Sequence, residues 1–284
     1  MWIPLAVVTA VAFGASSSYA KALSRRVHVT VVTWAMIAFT VPWTLLLLAR
    51  QGVPDVGAGF FAPAAASVAL NMIAVTLQVR ALSVSPLSLT VPFLAFTPVF
   101  MIGTGWVVLG ETPDARGVAG ILLIAIGAYS INLEKLRGGI LGPIRAVATE
   151  PGSRLMLLVA LIWSVSATFD KAAVLESSPA FYAAAFSAAF GVIYSPALVW
   201  GLRRKPAPRG TLPRLALLGG IAAVMIVCQY VAIQFALASY VIALKRAGML
   251  VSVLLGRFLF GERRLGVRLA GAALMTAGVL VLST

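Results

Sequence analysis

Gly110-Glu111-Thr112-Pro113-Asp114-Ala115-Arg116-Gly117-Val118-Ala119-Gly120-Ile121-Leu122-Leu123-Ile124-Ala125-Ile126-Gly127 lies near the end of the first half of the chain. At an offset of 151, Gly261-Glu262-Arg263-Arg264-Leu265-Gly266-Val267-Arg268-Leu269-Ala270-Gly271-Ala272-Ala273-Leu274-Met275-Thr276-Ala277-Gly278 lies near the end of the second. Gly-Glu falls on Gly-Glu, Ala119-Gly120 on Ala270-Gly271, Leu123 on Leu274 and Gly127 on Gly278. The same register pairs Gln78 with Gln229, Ala81 with Ala232, Ser88 with Ser239 and Gly105 with Gly256. At an offset of 150, Leu5, Ala10, Ser16 and Lys21 meet Leu155, Ala160, Ser166 and Lys171. Apolar coincidences are expected in an apolar chain. Gln on Gln, Lys on Lys and Gly-Glu on Gly-Glu are not, so the sequence reads as a duplication.

Composition sets the solvent. Of 284 residues, 61% are hydrophobic and 11% charged, with a mean hydropathy of +1.02. A soluble domain has about 25% charged residues. This much apolar surface has to face lipid, which excludes a soluble enzyme and a secreted scaffold. The lone cysteine, Cys228, excludes intramolecular disulfides and cysteine metal sites, and the lone histidine, His28, removes most histidine chemistry. No zinc motif, aspartate cluster or Ser-His arrangement is present, so we expect no enzyme, no cofactor and no metal.

Spanning helices need about 20 mostly apolar residues. The pattern predicts an all-α integral membrane protein with spans near 2–20, 28–49, 60–79, 87–109, 117–133, 155–174, 180–202, 213–235, 240–260 and 267–283. Residues 1–134 then form one five-helix repeat, 135–154 a basic connector and 155–284 the second repeat. Ser18-Tyr19-Ala20 offers small residues, but no basic stretch precedes the first span and the segment recurs later, against a cleaved signal.

The net charge of +14 sits in the connectors. Lys21, Arg25, Arg26, Arg80, the connector cations, Arg203 to Lys205, Arg209, Arg214, Arg263, Arg264 and Arg268 fall on one side. Only Arg50, Arg116 and Lys171 fall on the other. The rich side is expected in the cytoplasm, against anionic headgroups, in a bacterial inner membrane with both termini outside. No basic stripe interleaved with aromatics suggests nucleic acid. Five spans per repeat is an odd number, so the second copy enters upside down. Ten transmembrane helices as two inverted five-helix repeats is a common plan for secondary transporters, with substrate near the midplane.

An Ala-rich fourth helix ending in Gly-Glu and a Gly-spaced fifth helix, in each half, resemble the EamA repeats of the drug/metabolite transporter superfamily. Ala81-Leu82 through Thr97-Pro98-Val99-Phe100 to Gly110-Glu111 fits the family pattern, departing at Thr97, where a Glu commonly precedes the Pro. In the second half, Gly248-Met249 replaces the Pro-centred step. The resemblance implies a transporter of small organic solutes, with helices three, four, eight and nine around the site.

Lys245 and Arg246 lie within the ninth span, where each charge costs about 2.5–3.5 kcal/mol at the centre. Either they snorkel to the headgroups or they form an anion site, Arg offering a planar donor fork and Lys a point charge. Their repeat counterparts, Leu94 and Ala95, are apolar. Ala243-Leu244-Lys245-Arg246 resembles the Lys-Arg step of triose-phosphate translocators, which implies a phosphate or carboxylate ligand. Gln78, Gln229, Tyr230 and Asn71 either line the cavity or bond helices together. Pro86, Pro92 and Pro98 are expected to bend the fourth span into a hinge. Glu111 and Glu262 read as shared caps, Gly120/Gly127 and Gly271/Gly278 as close-packing stripes, and Lys21 and Lys171 as interfacial anchors. Asp170 stands beside Lys171, and no carboxylate is expected deep in a span.

The expected function is alternating-access transport of a small organic anion, with exchange favoured, by a monomer or homodimer. Its rivals are an exporter of amino acids or amphipathic drugs and an accessory lipid-binding membrane protein.

Overall fold

The computed structural model describes residues 1–85, 91–130, 150–251 and 266–283. Pro86 and Glu262 lie outside them. Helices dominate, with no strand among the described residues. They fall into two compact units, 1–68 with 170–235 and 248–261, and 69–169 with 236–247 and 262–284. Each unit draws on both expected repeats, so the unit of packing is not the unit of duplication.

In the first unit α1 (Trp2–Ser24) is 23 residues long, about 34 Å at 1.5 Å per residue, enough for a hydrocarbon core of about 30 Å. The chain turns at Arg25 and Arg26. His28 then starts α2 (Val29–Ala38), its Nδ1 accepting from the Thr30 N–H. At Thr40 the helix breaks, the hydroxyl donating to the Ile37 carbonyl oxygen at 2.7 Å and meeting Ser187 Oγ at 2.7 Å. Pro42 sits in the first turn of α3 (Val41–Gln51), where its missing N–H costs nothing. The counterpart in the second half repeats this device. Ser178 Oγ accepts from the Phe181 N–H to start α8 (Pro179–Ile193), and Tyr194 breaks it before α9 (Ser195–Arg204), the two bent by 49°. Trp34 donates to the Gly191 carbonyl oxygen at 2.8 Å, pinning one broken helix to the other. The long α10 (Leu212–Phe235) packs along α1 and α2.

The unit is polar in charge. Arg25, Arg26, Arg203, Arg204, Lys205, Arg209 and Arg214 gather at the end where α1 stops and α10 starts, with Lys205 Nζ donating to the Arg25 carbonyl oxygen at 2.8 Å. Asp55, Asp170 and Glu176 belong to the opposite end, where the Gly57 N–H donates to the Glu176 carbonyl oxygen at 2.8 Å. Val7, Val8, Leu217 and Val224 are exposed along the helix sides between these ends, as in a body whose flanks face lipid.

The second unit begins within α4 (Phe61–Val84) and contains α5 (Thr97–Leu109), α6 (Ala115–Ser130), most of α7 (Pro151–Leu175), α11 (Ala238–Ala247) and α12 (Gly266–Ser283). Gly110, at φ +68°, ends α5 in the left-handed region, with its N–H on the Trp106 carbonyl and the Glu111 N–H on that of Gly105. Only glycine takes this conformation without strain. The Glu111 carboxylate then accepts from the Ala238 N–H at 3.1 Å and caps α11. The expected cap is thus real, but it serves a different helix from the one it ends. Asp114 Oδ1 accepts from the Gly117 N–H at 2.8 Å and starts α6.

Helices α6 and α12 touch through the expected glycine stripes. A Cβ on Gly127 would lie 2.6 Å from the Gly271 carbonyl oxygen, and one on Gly278 would lie 2.7 Å from that of Gly120. Late meets early in both contacts, so the two helices run antiparallel.

Within the fourth expected span, a 3-10 segment over Val91–Phe96 runs directly into α5 among the described residues. Pro98 sits in the first turn of α5, at the change from 3-10 to α-helix. Pro92 belongs to the 3-10 segment.

Five helical stretches among the described residues are long and apolar enough to cross a membrane: Trp2–Ser24, Val29–Gln51, Ala58–Ala81, Pro151–Leu175 and Leu212–Phe235. The bent pair Pro179–Ile193 and Ser195–Arg204 makes a sixth if it is one span. The helices within the other expected spans are shorter.

Candidate functional site

In the second unit, α7 offers one face to two of the singled-out residues. Trp163 and Ser166, three apart on a helix, project to the same side. Arg246, 6% exposed, comes from α11 with its guanidinium carbon 5.8 Å from the Trp163 ring centre. Asn71, on α4, donates to Ser166 Oγ at 2.5 Å. The Arg246 Nη2 donates to Thr97 Oγ1 at 2.9 Å, and Thr97, 1% exposed, passes its own proton to the Leu94 carbonyl oxygen at 2.8 Å. A charged group in this setting gains from each hydrogen bond about 1.5–3 kcal/mol, and the indole face adds a cation–π contribution.

Around this point the wall is apolar. Ala74, Ala81, Phe93, Leu94, Met156, Val159 and Ala160 are buried together, with Trp163 packed against them. Residues 71, 74, 78 and 81 share one face of α4 by helical spacing, so half-buried Gln78 belongs to the same face as buried Ala74 and Ala81. Lys245 is half-buried, one residue before Arg246. Arg246 therefore sits inside the protein, and Lys245 stands nearer the surface of its unit.

Gln229 and Tyr230 lie on α10 in the first unit, both buried. The Tyr230 ring stands 4.9 Å from that of Tyr182. Tyr182, fully buried, donates to Asp170 Oδ1 at 2.6 Å, and the Ser67 hydroxyl donates to the same oxygen. Asp170 is 7% exposed within α7, and so is Lys171. The Asp170 carboxylate, near the C-terminal end of α7, is buried with two hydroxyls from α4 and α8 on it. Lys171 is buried as well, unlike its exposed counterpart Lys21. No spacing rule points from Asp170 to Ser67 or Tyr182, since they lie on separate helices.

In the sequence Thr97 stood out only as a departure from a family pattern, and nothing in the spacing of Trp163 tied it to Arg246. Their meeting with Arg246 is tertiary.

The EamA-like transporter family matches residues 1–133 and 151–284. The chain belongs to that family. It is therefore a multi-pass membrane protein and a transporter of the drug/metabolite superfamily. A crystal structure at 16% identity superimposes with a TM-score of 0.76, covering 99% of this chain and 96% of that chain. At that identity the likeness shows the fold alone. No curated protein is detectably similar in sequence to the chain.

Proposed function

We propose that this EamA-like protein is a secondary transporter of a small organic anion, a phosphate ester or carboxylate, held at Arg246 and Lys245 and moved by alternating access. The observation that carries this reading is the buried Arg246 guanidinium on Thr97, a neutral hydroxyl where a family Glu commonly stands. A carboxylate at 97 would neutralise the arginine from within. A threonine offers the guanidinium a neutral acceptor and adds no negative charge beside it. Arg supplies two parallel donors for an oxyanion and Lys a mobile point charge. Asn71 and Gln78 supply amide groups on the neighbouring face of α4. Gln229 is the repeat counterpart of Gln78, and Gln229 and Tyr230 are buried within the first unit. The resemblance of Ala243-Leu244-Lys245-Arg246 to the Lys-Arg step of triose-phosphate translocators supports the choice of anion.

Ten crossings as two inverted repeats remain the reading the internal pattern favours. The glycine contacts support it. Gly120 and Gly271 are repeat counterparts, as are Gly127 and Gly278, so exchanging the repeats turns the contact of Gly127 with Gly271 into that of Gly278 with Gly120. An antiparallel contact that maps onto itself is the signature of a two-fold axis across the helices. Charged groups taken out of water without an anion resist the swing between states, and substrate relieves that cost. Exchange is then faster than net flux.

The test is a panel of organic anions, neutral metabolites and cations added to purified protein, read by thermal stability, for the native chain and for Lys245→Ala/Arg246→Ala. A ligand at 100 times its Kd stabilises by about 2.7 kcal/mol. Stabilisation by phosphate esters or carboxylates that disappears in the double variant supports the anion site. Equal stabilisation of both forms by neutral or cationic compounds overturns it in favour of an amino-acid or drug exporter.

A further inference from the structure

At the cationic end of the first unit, Tyr19, Ala22, Leu23, Arg25, Arg26 and Arg214 line a cavity of about 330 Å³. We propose that this cavity binds the phosphate headgroup of an anionic phospholipid.

Four features lead to this ligand. The volume falls in the range of small-ligand pockets, about 300–1,000 Å³. The lining contains three guanidiniums and no carboxylate, and the acidic residues of the unit, Asp55, Asp170 and Glu176, belong to its opposite end. Three guanidiniums around one cavity favour an oxyanion, and their donor forks suit phosphate oxygens. Third, Arg214 lies in the first turn of α10, the positive end of a helix dipole, where a cation is disfavoured and an anion welcome. Arg25 and Arg26, by contrast, follow the C-terminus of α1, where cations are favoured.

The fourth feature selects a lipid over a free phosphate. The cavity lies where α1 ends and α10 begins, so a helix long enough to cross the hydrocarbon core delivers it to the headgroup level. Its remaining wall is Tyr19, Ala22 and Leu23, an aromatic and two apolar side chains of the kind that meet glycerol and the upper acyl chain, with Tyr19 suited to the interface. The cation-rich end also faces the leaflet that carries anionic lipid if the positive-inside bias sets the orientation.

The test uses the purified, delipidated full chain in neutral detergent, with phosphatidylglycerol, phosphatidylcholine and inorganic phosphate as probes. Native mass spectrometry reads bound lipid and thermal unfolding reads stabilisation. Phosphatidylglycerol is expected to bind the native chain, and to bind Arg214→Gln at least roughly tenfold more weakly, the ratio for losing one hydrogen bond between charged groups. Arg25→Gln/Arg26→Gln/Arg214→Gln is expected to abolish detectable binding. Arg203→Gln/Arg204→Gln/Arg209→Gln removes as much charge from the same end outside the cavity and is expected to keep the bound lipid. Equal loss in that control overturns the site in favour of diffuse attraction. Equal stabilisation by phosphatidylcholine overturns the phosphate-arginine basis, and equal stabilisation by inorganic phosphate overturns the lipid. If the triple cavity variant fails to fold, Arg214→Gln decides: unchanged lipid binding there overturns the proposal.

Discussion

Arg246 and Thr97 stand 149 positions apart in sequence and 2.9 Å apart in space, the guanidinium donating to the hydroxyl. Thr97 in turn donates to the Leu94 carbonyl oxygen, so its lone pairs are turned toward the arginine. This relay separates two substitutions that a simple count of lost contacts would treat alike. Thr97→Glu places a carboxylate against Arg246, and anion-dependent stabilisation and flux are expected to vanish while the protein stays folded. Thr97→Val removes one hydrogen bond to a charged group, lowering stability by about 1.5–3 kcal/mol, but puts no negative charge beside Arg246, so anion binding is expected to persist. Side-by-side ligand titration and thermal unfolding check both outcomes. Anion binding undiminished in Thr97→Glu would count against Arg246 as the anion's partner.

The crossing of α6 and α12 has no room for a methyl group. At Gly127 and Gly278 an added Cβ comes within 2.6 and 2.7 Å of backbone oxygens on the facing helix. Gly127→Ala and Gly278→Ala are each expected to cost about 1–3 kcal/mol through overpacking, whereas Gly103→Ala, with nothing within 4 Å of its added Cβ, is expected to be neutral or mildly stabilising. Urea or thermal unfolding in detergent measures the contrast.

Glu111 reaches a helix start that lies 127 positions away, the Ala238 N–H. Glu111→Ala leaves that N–H without its acceptor and removes a negative charge from the positive end of α11. We expect a loss of about 0.5–2 kcal/mol. Glu111→Gln keeps an acceptor oxygen and should lose less, which distinguishes capping from a purely electrostatic role.

Asp170 gathers the Ser67 and Tyr182 hydroxyls onto one oxygen. Tyr182→Phe is expected to lower stability by about 1.5–3 kcal/mol, and Asp170→Ala by more, since it leaves two buried hydroxyls facing an apolar side chain. The double variant should be less unstable than the sum, because the second substitution removes a group already stranded by the first. Strict additivity in that cycle would show that the two residues do not act through each other.

Charge polarity in the first unit sets a topology test. With Cys228 replaced by Ser, a cysteine at Arg203 is expected to react with an impermeant thiol reagent only from the cytoplasmic face, and one at Asp55 only from outside. The reverse pattern would invert the orientation that the positive-inside bias implies.

Much of this protein was legible in its sequence because lipid imposes simple rules. Apolar length marks helices, since backbone groups in hydrocarbon must bond within their own segment. Gly110 signals a left-handed helix end, and the spacing of Gly120 and Gly127 signals a smooth face, both properties of the local chain. Tertiary structure alone decided which partners these features meet. The glycine stripe faces another glycine stripe, and Glu111 caps a helix it does not belong to. The same holds for the polar groups. Sequence marks Arg246 as costly in an apolar span, because desolvation depends on the residue and its depth, and shows Asp170 only as a charge beside Lys171. It does not say what compensates that cost, because the compensating groups, Thr97 and Trp163 for one, Ser67 and Tyr182 for the other, arrive from helices whose meeting depends on packing across the whole unit.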